Sequence, residues 1–209
     1  MKFTPGFFEV EVSPVDEAIS LLKYVISRWC SKNPMHPTYP RKTCAELMQH
    51  LAVAGKDYLK TITKDFDNKT IYAERPMIQL SGFVDPEPTV WLLGWRAGEE
   101  TPIHDHGSSE VGIHVFEGAV SEHIYVPEQP MSSIGDMAKY RTVVRELLEG
   151  STVRITSPYV HLFTKTCEGH DCVHATTLHC YWPRLLTMDY FTVVEGEKLK
   201  FTDVWADQG

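Results

Sequence analysis

Gly98-Glu99-Glu100-Thr101-Pro102-Ile103-His104-Asp105-His106 is the stretch on which the reading of this chain turns. Its two imidazoles stand at i and i+2, and an extended strand projects side chains at that spacing from one face. Downstream, Gly150 precedes Pro158-Tyr159-Val160-His161, so a later strand pair can carry a third imidazole across the sheet to the same point. Three such rings make a facial set of nitrogen donors for a metal. Around these histidines the texture is short β-branched and aromatic runs separated by turn signals, at 89–95, 111–116, 119–126, 140–148, 152–155, 160–164, 176–181 and 186–194. Their loops, such as Phe83-Val84-Asp85-Pro86-Glu87-Pro88 and Pro127-Glu128-Gln129-Pro130, favour a sandwich or barrel over alternating βαβ units.

The first third reads differently. Val15, Ala18, Ile19, Leu22, Val25, Ile26 and Trp29 recur at three- and four-residue steps after Pro14, which predicts an amphipathic helix. Thr43-Cys44-Ala45-Glu46 is a capping-box pattern that opens a second helix, closed by Gly55, and a short third helix is expected over 56–66. The apolar stripe of such a lobe must be buried, and one face or end of the β body is the available surface. At 209 residues this predicts a single domain over 1–209, with a helical lobe over about 1–68 and a β-barrel over about 70–209.

Hydrophobic residues at 43% and charged residues at 23% exclude disordered, collagenous and coiled-coil classes. The formal charge of -8, with scattered Lys and Arg, is wrong for a phosphate-tracking nucleic-acid surface. No apolar run is long enough for a membrane helix, and Glu9 and Glu11 stand where a signal peptide would be apolar. Five cysteines, Cys30, Cys44, Cys167, Cys172 and Cys180, form an odd set without an extracellular spacing, so free thiols in a reducing, cytoplasmic setting are expected. Eight of the ten histidines fall between His104 and His179, a clustering that a metal centre would use.

These residues resemble the cupin superfamily, whose first motif reads G-x5-H-x-H-x3,4-E-x6-G and whose second reads G-x5,7-P-x2-H-x3-N. Gly98, His104, His106 and Gly118 match the first; Gly150, Pro158 and His161 match the second, with Lys165 in place of the asparagine. The resemblance implies a mainly β fold, a double-stranded β-helix or jelly-roll barrel, with His104, His106 and His161 as metal ligands. Six residues before Gly118 stands Val111; the nearby carboxylate, Glu110, is one place off, which in a regular strand sends it to the opposite face. Because the Gly107-Ser108-Ser109 turn can absorb a residue, Glu110 as fourth ligand stays open as the alternative. Three neutral imidazoles leave a divalent charge uncompensated and so favour an anionic substrate group such as a thiolate, although the spacing alone does not separate iron from a hydrolytic zinc.

In Thr176-Thr177-Leu178-His179-Cys180-Tyr181-Trp182, the polar Thr177, His179 and Tyr181 alternate with the apolar Leu178, Cys180 and Trp182. Hydroxyl, imidazole and phenol in a row toward a barrel lumen need one another or a ligand as partners. This resembles the S-x-H-x-Y strand of the thiol dioxygenases, the cysteine dioxygenase family, with threonine for serine, and His104-Asp105-His106-Gly107 is similar to that family's H-D-H segment. The resemblance implies that Tyr181 lies beside the substrate, that His179 steadies its hydroxyl, and that Thr177 orients His179. Animal members carry a cysteine, cross-linked to the tyrosine, at the position of Val111; here Tyr181 is expected to remain an unmodified phenol.

Family members acting on cysteine hold its carboxylate with an arginine just after a tyrosine. Tyr72-Ala73-Glu74-Arg75 is similar but one residue wider, which makes Arg75, with Tyr72, the candidate substrate-binding pair, since a guanidinium fork matches a planar carboxylate. Cys167-Glu168-Gly169-His170-Asp171-Cys172-Val173-His174 carries four potential zinc ligands at cramped spacing and reads more simply as a loop. The resemblance implies an Fe(2+) dioxygenase that inserts both atoms of O2 into a small thiol, cysteine first and 3-mercaptopropionate or a similar thiol acid next. The chain would work as a monomer or weak homo-oligomer, without nucleic acid or membrane. The rivals are a three-histidine-one-glutamate cupin acting on a non-thiol substrate and a non-catalytic ligand-sensing cupin.

Overall fold

The computed structural model describes residues 13–33, 43–68, 76–82, 87–156, 159–165, 174–195 and 198–206. Ser13 caps the first helix, α1 (Pro14–Lys32), accepting the Asp16 N–H at 3.2 Å. Ala18, Leu22, Ile26 and Trp29 are buried along one stripe, at the steps that the sequence sets out. The second helix, α2 (Cys44–Ala54), opens with the reciprocal capping box: the Thr43 hydroxyl accepts the Glu46 N–H and the Glu46 carboxylate accepts the Thr43 N–H. Gly55 closes it, and α3 (Lys56–Asn68) follows at once.

The strands come next, in two sheets. The first has the order β1-β2-β9-β4-β7, formed by β1 (Met77–Ser81), β2 (Thr89–Trp95), β4 (Glu110–Glu117), β7 (Thr152–Ile155) and β9 (Ala175–Trp182). The second closes on itself as a six-stranded barrel in the order β10-β11-β6-β5-β8-β3. It is formed by β3 (Ile103–His104), β5 (Ala119–Pro127), β6 (Met137–Leu148), β8 (Val160–Thr164), β10 (Thr187–Val194) and β11 (Lys198–Ala206). Every pairing between these strands is antiparallel. The mainly β, cupin-type barrel with a small helical part at its N-terminal side is therefore what the chain forms. No helix among the described residues is long and apolar enough to cross a membrane.

Strand alternation divides the interior. Leu178, Cys180 and Trp182 of β9 join Val90, Leu92 and the stripes of all three helices in one core. On the other face, Tyr181 packs with Leu93, Trp95, Val111, Ile113 and Val115 of its own sheet and with Val120, Leu147 and Phe163 of the second. Trp95 and Phe163 are fully buried there, each contributing about 2 kcal/mol of apolar transfer. The helices reach the sheet closely. A Cβ on Gly112 of β4 would stand 2.3 Å from the carbonyl carbon of Cys44 and 2.4 Å from the Ala45 nitrogen, so only a glycine lets the first turn of α2 sit there.

Three elements differ from the sequence reading. β1 and β11 were not expected, and the histidine-bearing strand is only two residues long, because Pro102 precedes it and Gly107, at φ +54°, turns the chain after it. Tyr72 and Arg75 lie outside the described residues, as do Cys167, His170 and Cys172 of the suspected second zinc segment.

Candidate metal centre

His104 ends β3 and pairs in register with His161 of β8, so both rings leave neighbouring strands on one side. His106 lies two residues on, outside the strand, and a different device aims it. Asp105 donates its N–H to the Asp189 carbonyl at 3.0 Å, while its Oδ1 accepts the N–H groups of Gly107 at 3.0 Å and Asp189 at 3.1 Å. The i, i+2 spacing thus delivers both imidazoles through a turn tied to β10 rather than through a continued strand. The three ring centroids are 4.9 Å apart in every pair, and one ligand nitrogen from each lies within 4.8 Å of the others. Among the described residues this is the cluster of His, Cys, Asp and Glu groups able to hold a metal ion.

The hydrogen bonds fix which nitrogens are available. A carbonyl only accepts, so the 2.8 Å contact from His104 Nδ1 to the Pro102 oxygen puts the proton on Nδ1 and the lone pair on Nε2. His161 Nδ1 is 2.8 Å from Glu122 Oε1, and its Nε2 is buried without a partner. An orphaned buried acceptor costs about 1–3 kcal/mol, and a cation at the meeting point of the three rings would relieve it. Burial, followed by the neighbouring imidazoles, holds His106 and His161 well below the ordinary histidine range. Both are therefore neutral, the form that ligates. The donor set fits a divalent ion of borderline softness, with positions left for other ligands.

Glu122, from β5, is wholly buried. Besides His161 it meets Arg145 Nε of β6 and the side chain of Tyr159. Burial raises its carboxyl above the usual range, and the Arg145 and Tyr159 contacts act against that rise.

The facing wall comes from β9. Thr177 Oγ1 lies 2.9 Å from His179 Nε2, and the Tyr181 hydroxyl lies 3.5 Å from His179 Nδ1. Trp95 donates its indole N–H to Thr177 Oγ1 at 2.8 Å. After accepting from the indole, the Thr177 hydroxyl keeps both a second lone pair and its own proton for His179 Nε2; in the tautomer where Thr177 donates, Nδ1–H is directed at the Tyr181 oxygen. That arrangement leaves the phenol proton for a group in the site. The Tyr181 ring is 5.4 Å from His106, and burial pushes the phenol far above its usual range, so it stays protonated.

Val111 is the register partner of Tyr181 across β4 and β9, so no thiol stands opposite the phenol. Glu110 pairs instead with Trp182, on the helix side. Its Oε1 accepts the Cys44 N–H at 3.0 Å and its Oε2 accepts from Arg154 Nε and Nη2, at 2.9 and 2.5 Å. Glu110 as a fourth metal ligand is therefore corrected: the carboxylate caps α2 and pairs with Arg154, on the opposite side of the sheet.

Sequence reasoning missed Glu122, Arg145, Tyr159, Trp95 and the tie made by Asp105. For Glu122 a signal existed. Val120, Glu122 and Ile124 share one parity on β5, and a carboxylate on an otherwise apolar face needs a partner.

Comparison with known proteins adds the following. The family described as cysteine dioxygenase type I matches residues 83–193. Among solved structures, the chain is similar to the DMSP lyase DddQ from Ruegeria pomeroyi, at 14% identity and a TM-score of 0.45, covering 79% of this chain and 91% of that one. It is also similar to an uncharacterized conserved protein with a double-stranded β-helix domain from Klebsiella pneumoniae, at 11% identity and a TM-score of 0.40, covering 65% of this chain and 90% of that one.

Proposed function

Because the chain belongs to the cysteine dioxygenase type I family, we propose that it is a non-haem iron(II) thiol dioxygenase that oxidises L-cysteine with O2 to cysteine sulfinate. The observation that carries this reading is the cluster of His104, His106 and His161, one ligand nitrogen of each within 4.8 Å of the others, with His161 Nε2 buried and unpartnered and a protonated Tyr181 alongside. His104, His106 and His161 would hold the ion. When bound, iron(II) supplies the redox chemistry by which the sulfur is oxidised and O2 reduced: RSH and O2 give RSO2⁻ and a proton.

The chain's own residues bind and orient. Three uncharged imidazoles favour an anionic thiolate as a further ligand of the centre. Tyr181 offers its O–H as a hydrogen-bond donor to the reacting group, His179 steadies the phenol, and Thr177 with Trp95 fixes His179. The cysteine carboxylate is assigned to Arg75, with Tyr72, on the strength of the family resemblance alone. A 3-mercaptopropionate activity is the neighbouring possibility, because that thiol acid offers the same sulfur and carboxylate without the amine. The protein acts on a small thiol and O2 in the cytoplasm, as a monomer or weak homo-oligomer, without nucleic acid or membrane.

The test is metal analysis of the purified protein, together with oxygen uptake and sulfinate detection across cysteine, cysteamine, homocysteine and 3-mercaptopropionate. Iron, and one O2 consumed per sulfinate with cysteine, is the expected result. Iron-loaded protein that consumes no oxygen with any of the four thiols refutes it.

A further inference from the structure

A metal held by three uncharged rings has no anion among its own ligands, yet one lies a single hydrogen bond behind this centre. Glu122 sits on β5 with no exposure to solvent, in a position where an unpaired carboxylate would cost several kcal/mol. Three side chains satisfy it: His161 through Nδ1, Arg145 through Nε, and Tyr159. The partners are unequal. Arg145, the register neighbour of Glu122 on β6, is partly exposed although its Nη2 is buried, and its charge acts on both Glu122 and His161, whereas His161 is as completely buried as Glu122 itself. Arg145 therefore offsets part of the carboxylate's charge, and the hydrogen bond to His161 Nδ1 is the contact that ties Glu122 to the metal centre.

We propose that Glu122 is a positioning residue of the metal centre: it locks His161 with the proton on Nδ1 and Nε2 toward the metal. This rests on the metal-centre reading of the preceding subsection. The physical consequence is twofold. A ring whose far nitrogen is bound to a carboxylate is a stronger donor, and its orientation is fixed before the ion arrives. Tyr159 belongs to the same device. Its ring meets His161 edge-on, with centroids 5.6 Å apart, while its side chain reaches Glu122, so one residue restrains both partners. A purely structural account is a strut between β5 and β6, since Glu122 and Arg145 are paired across those strands. The two accounts differ in what an isosteric, uncharged replacement does.

The experiment titrates Co(II) into metal-free protein against a competing chelator and records the visible Co(II) bands. Wild type, His161→Ala, Glu122→Gln and Tyr159→Phe are compared, with the thermal midpoint of each metal-free form. Glu122→Gln keeps size and an acceptor oxygen but removes the charge. The expected result is an affinity lower by about 10- to 100-fold, with displaced Co(II) bands. Affinity within twofold of wild type, with unmoved bands, overturns the proposal. If Glu122→Gln does not fold, Tyr159→Phe decides: an affinity lowered about threefold, the low end of one lost hydrogen bond, supports it, and no change overturns it. Failure of the parent reading is separately visible. Wild type that binds no Co(II) at His161 removes the metal centre itself, whereas normal Co(II) binding with no oxygen consumed by the iron form removes only the thiol chemistry.

Discussion

Tyr181 has the environment a hydrogen-bond donor needs. It is buried, raised far above its ordinary titration range, and backed by His179, which Thr177 and Trp95 hold in turn. Removing only the hydroxyl should leave the three imidazoles undisturbed. Tyr181→Phe is expected to retain a full complement of iron while losing about 10²- to 10⁴-fold in turnover, the range of one well-placed proton donor. Iron content and oxygen uptake measured on the same sample check this, and unaltered turnover refutes the assigned role. Glu110 gives the opposite pattern. Its carboxylate accepts the Cys44 N–H at the start of α2 and pairs with Arg154. Glu110→Ala should therefore cost about 1–2 kcal/mol in urea unfolding, as the loss of a helix cap does, with metal content unchanged. Loss of the metal from a folded Glu110→Ala protein would return Glu110 to the ligand set.

At the level of elements, β9 joins the two halves of the molecule, because its alternate residues serve different cores. Leu178, Cys180 and Trp182 hold the helices, and Thr177, His179 and Tyr181 face the site. The seat of α2 on the neighbouring strand is equally narrow. Gly112→Ala would place a methyl 2.3 Å from the Cys44 carbonyl carbon, so α2 must withdraw from β4. A loss of about 3 kcal/mol or more in urea unfolding is expected, at the upper end of overpacking costs, since backbone rather than a side-chain tip has to yield. A change below about 1 kcal/mol would mean that α2 is loosely seated. The legibility of these elements follows from the same physics. Strict alternation over 176–181 and the capping box at Thr43 and Glu46 are local patterns, and both took the form that the sequence implies. The alternation of Lys198, Leu199, Lys200 and Phe201 marks β11 and was passed over, whereas β3 escaped because two residues carry no period. The three histidines came together as their motifs suggested. The lone carboxylate of Glu122 on an apolar face was legible, but its meeting with Arg145 and Tyr159 was not, because it depends on the registers of β5 with β6 and β8, which no short stretch of sequence encodes.

For the molecule as a whole, the metal centre should make stability depend on pH in a definite direction. In the metal-free protein, burial and the adjoining rings hold His106 and His161 well below the ordinary range, and burial lowers His114, whose Nδ1 lies 2.7 Å from Thr152 Oγ1. Unfolding returns each to a value near 6.5. As pH falls past that value the unfolded chain takes up protons that the folded chain refuses, so stability is present above it and is lost as acidity increases. Each unit of depression is worth about 1.4 kcal/mol per group. Glu122, raised by burial, works in the other sense, because its contribution is lost as pH rises through its elevated value. Three imidazoles against two raised carboxylates, Glu122 and Asp189, set the sign. Urea unfolding of the chelator-treated protein should therefore show a lower midpoint at pH 5.5 than at pH 7.5, with an unfolding free energy smaller by at least about 1.5 kcal/mol. Saturating Co(II) should raise the midpoint at both pH values, because the ion binds only the folded arrangement of rings. A metal-free midpoint that is flat or rises toward pH 5.5 would mean that the rings accept protons where they stand, and a cluster so open to water would not hold an ion in the way described.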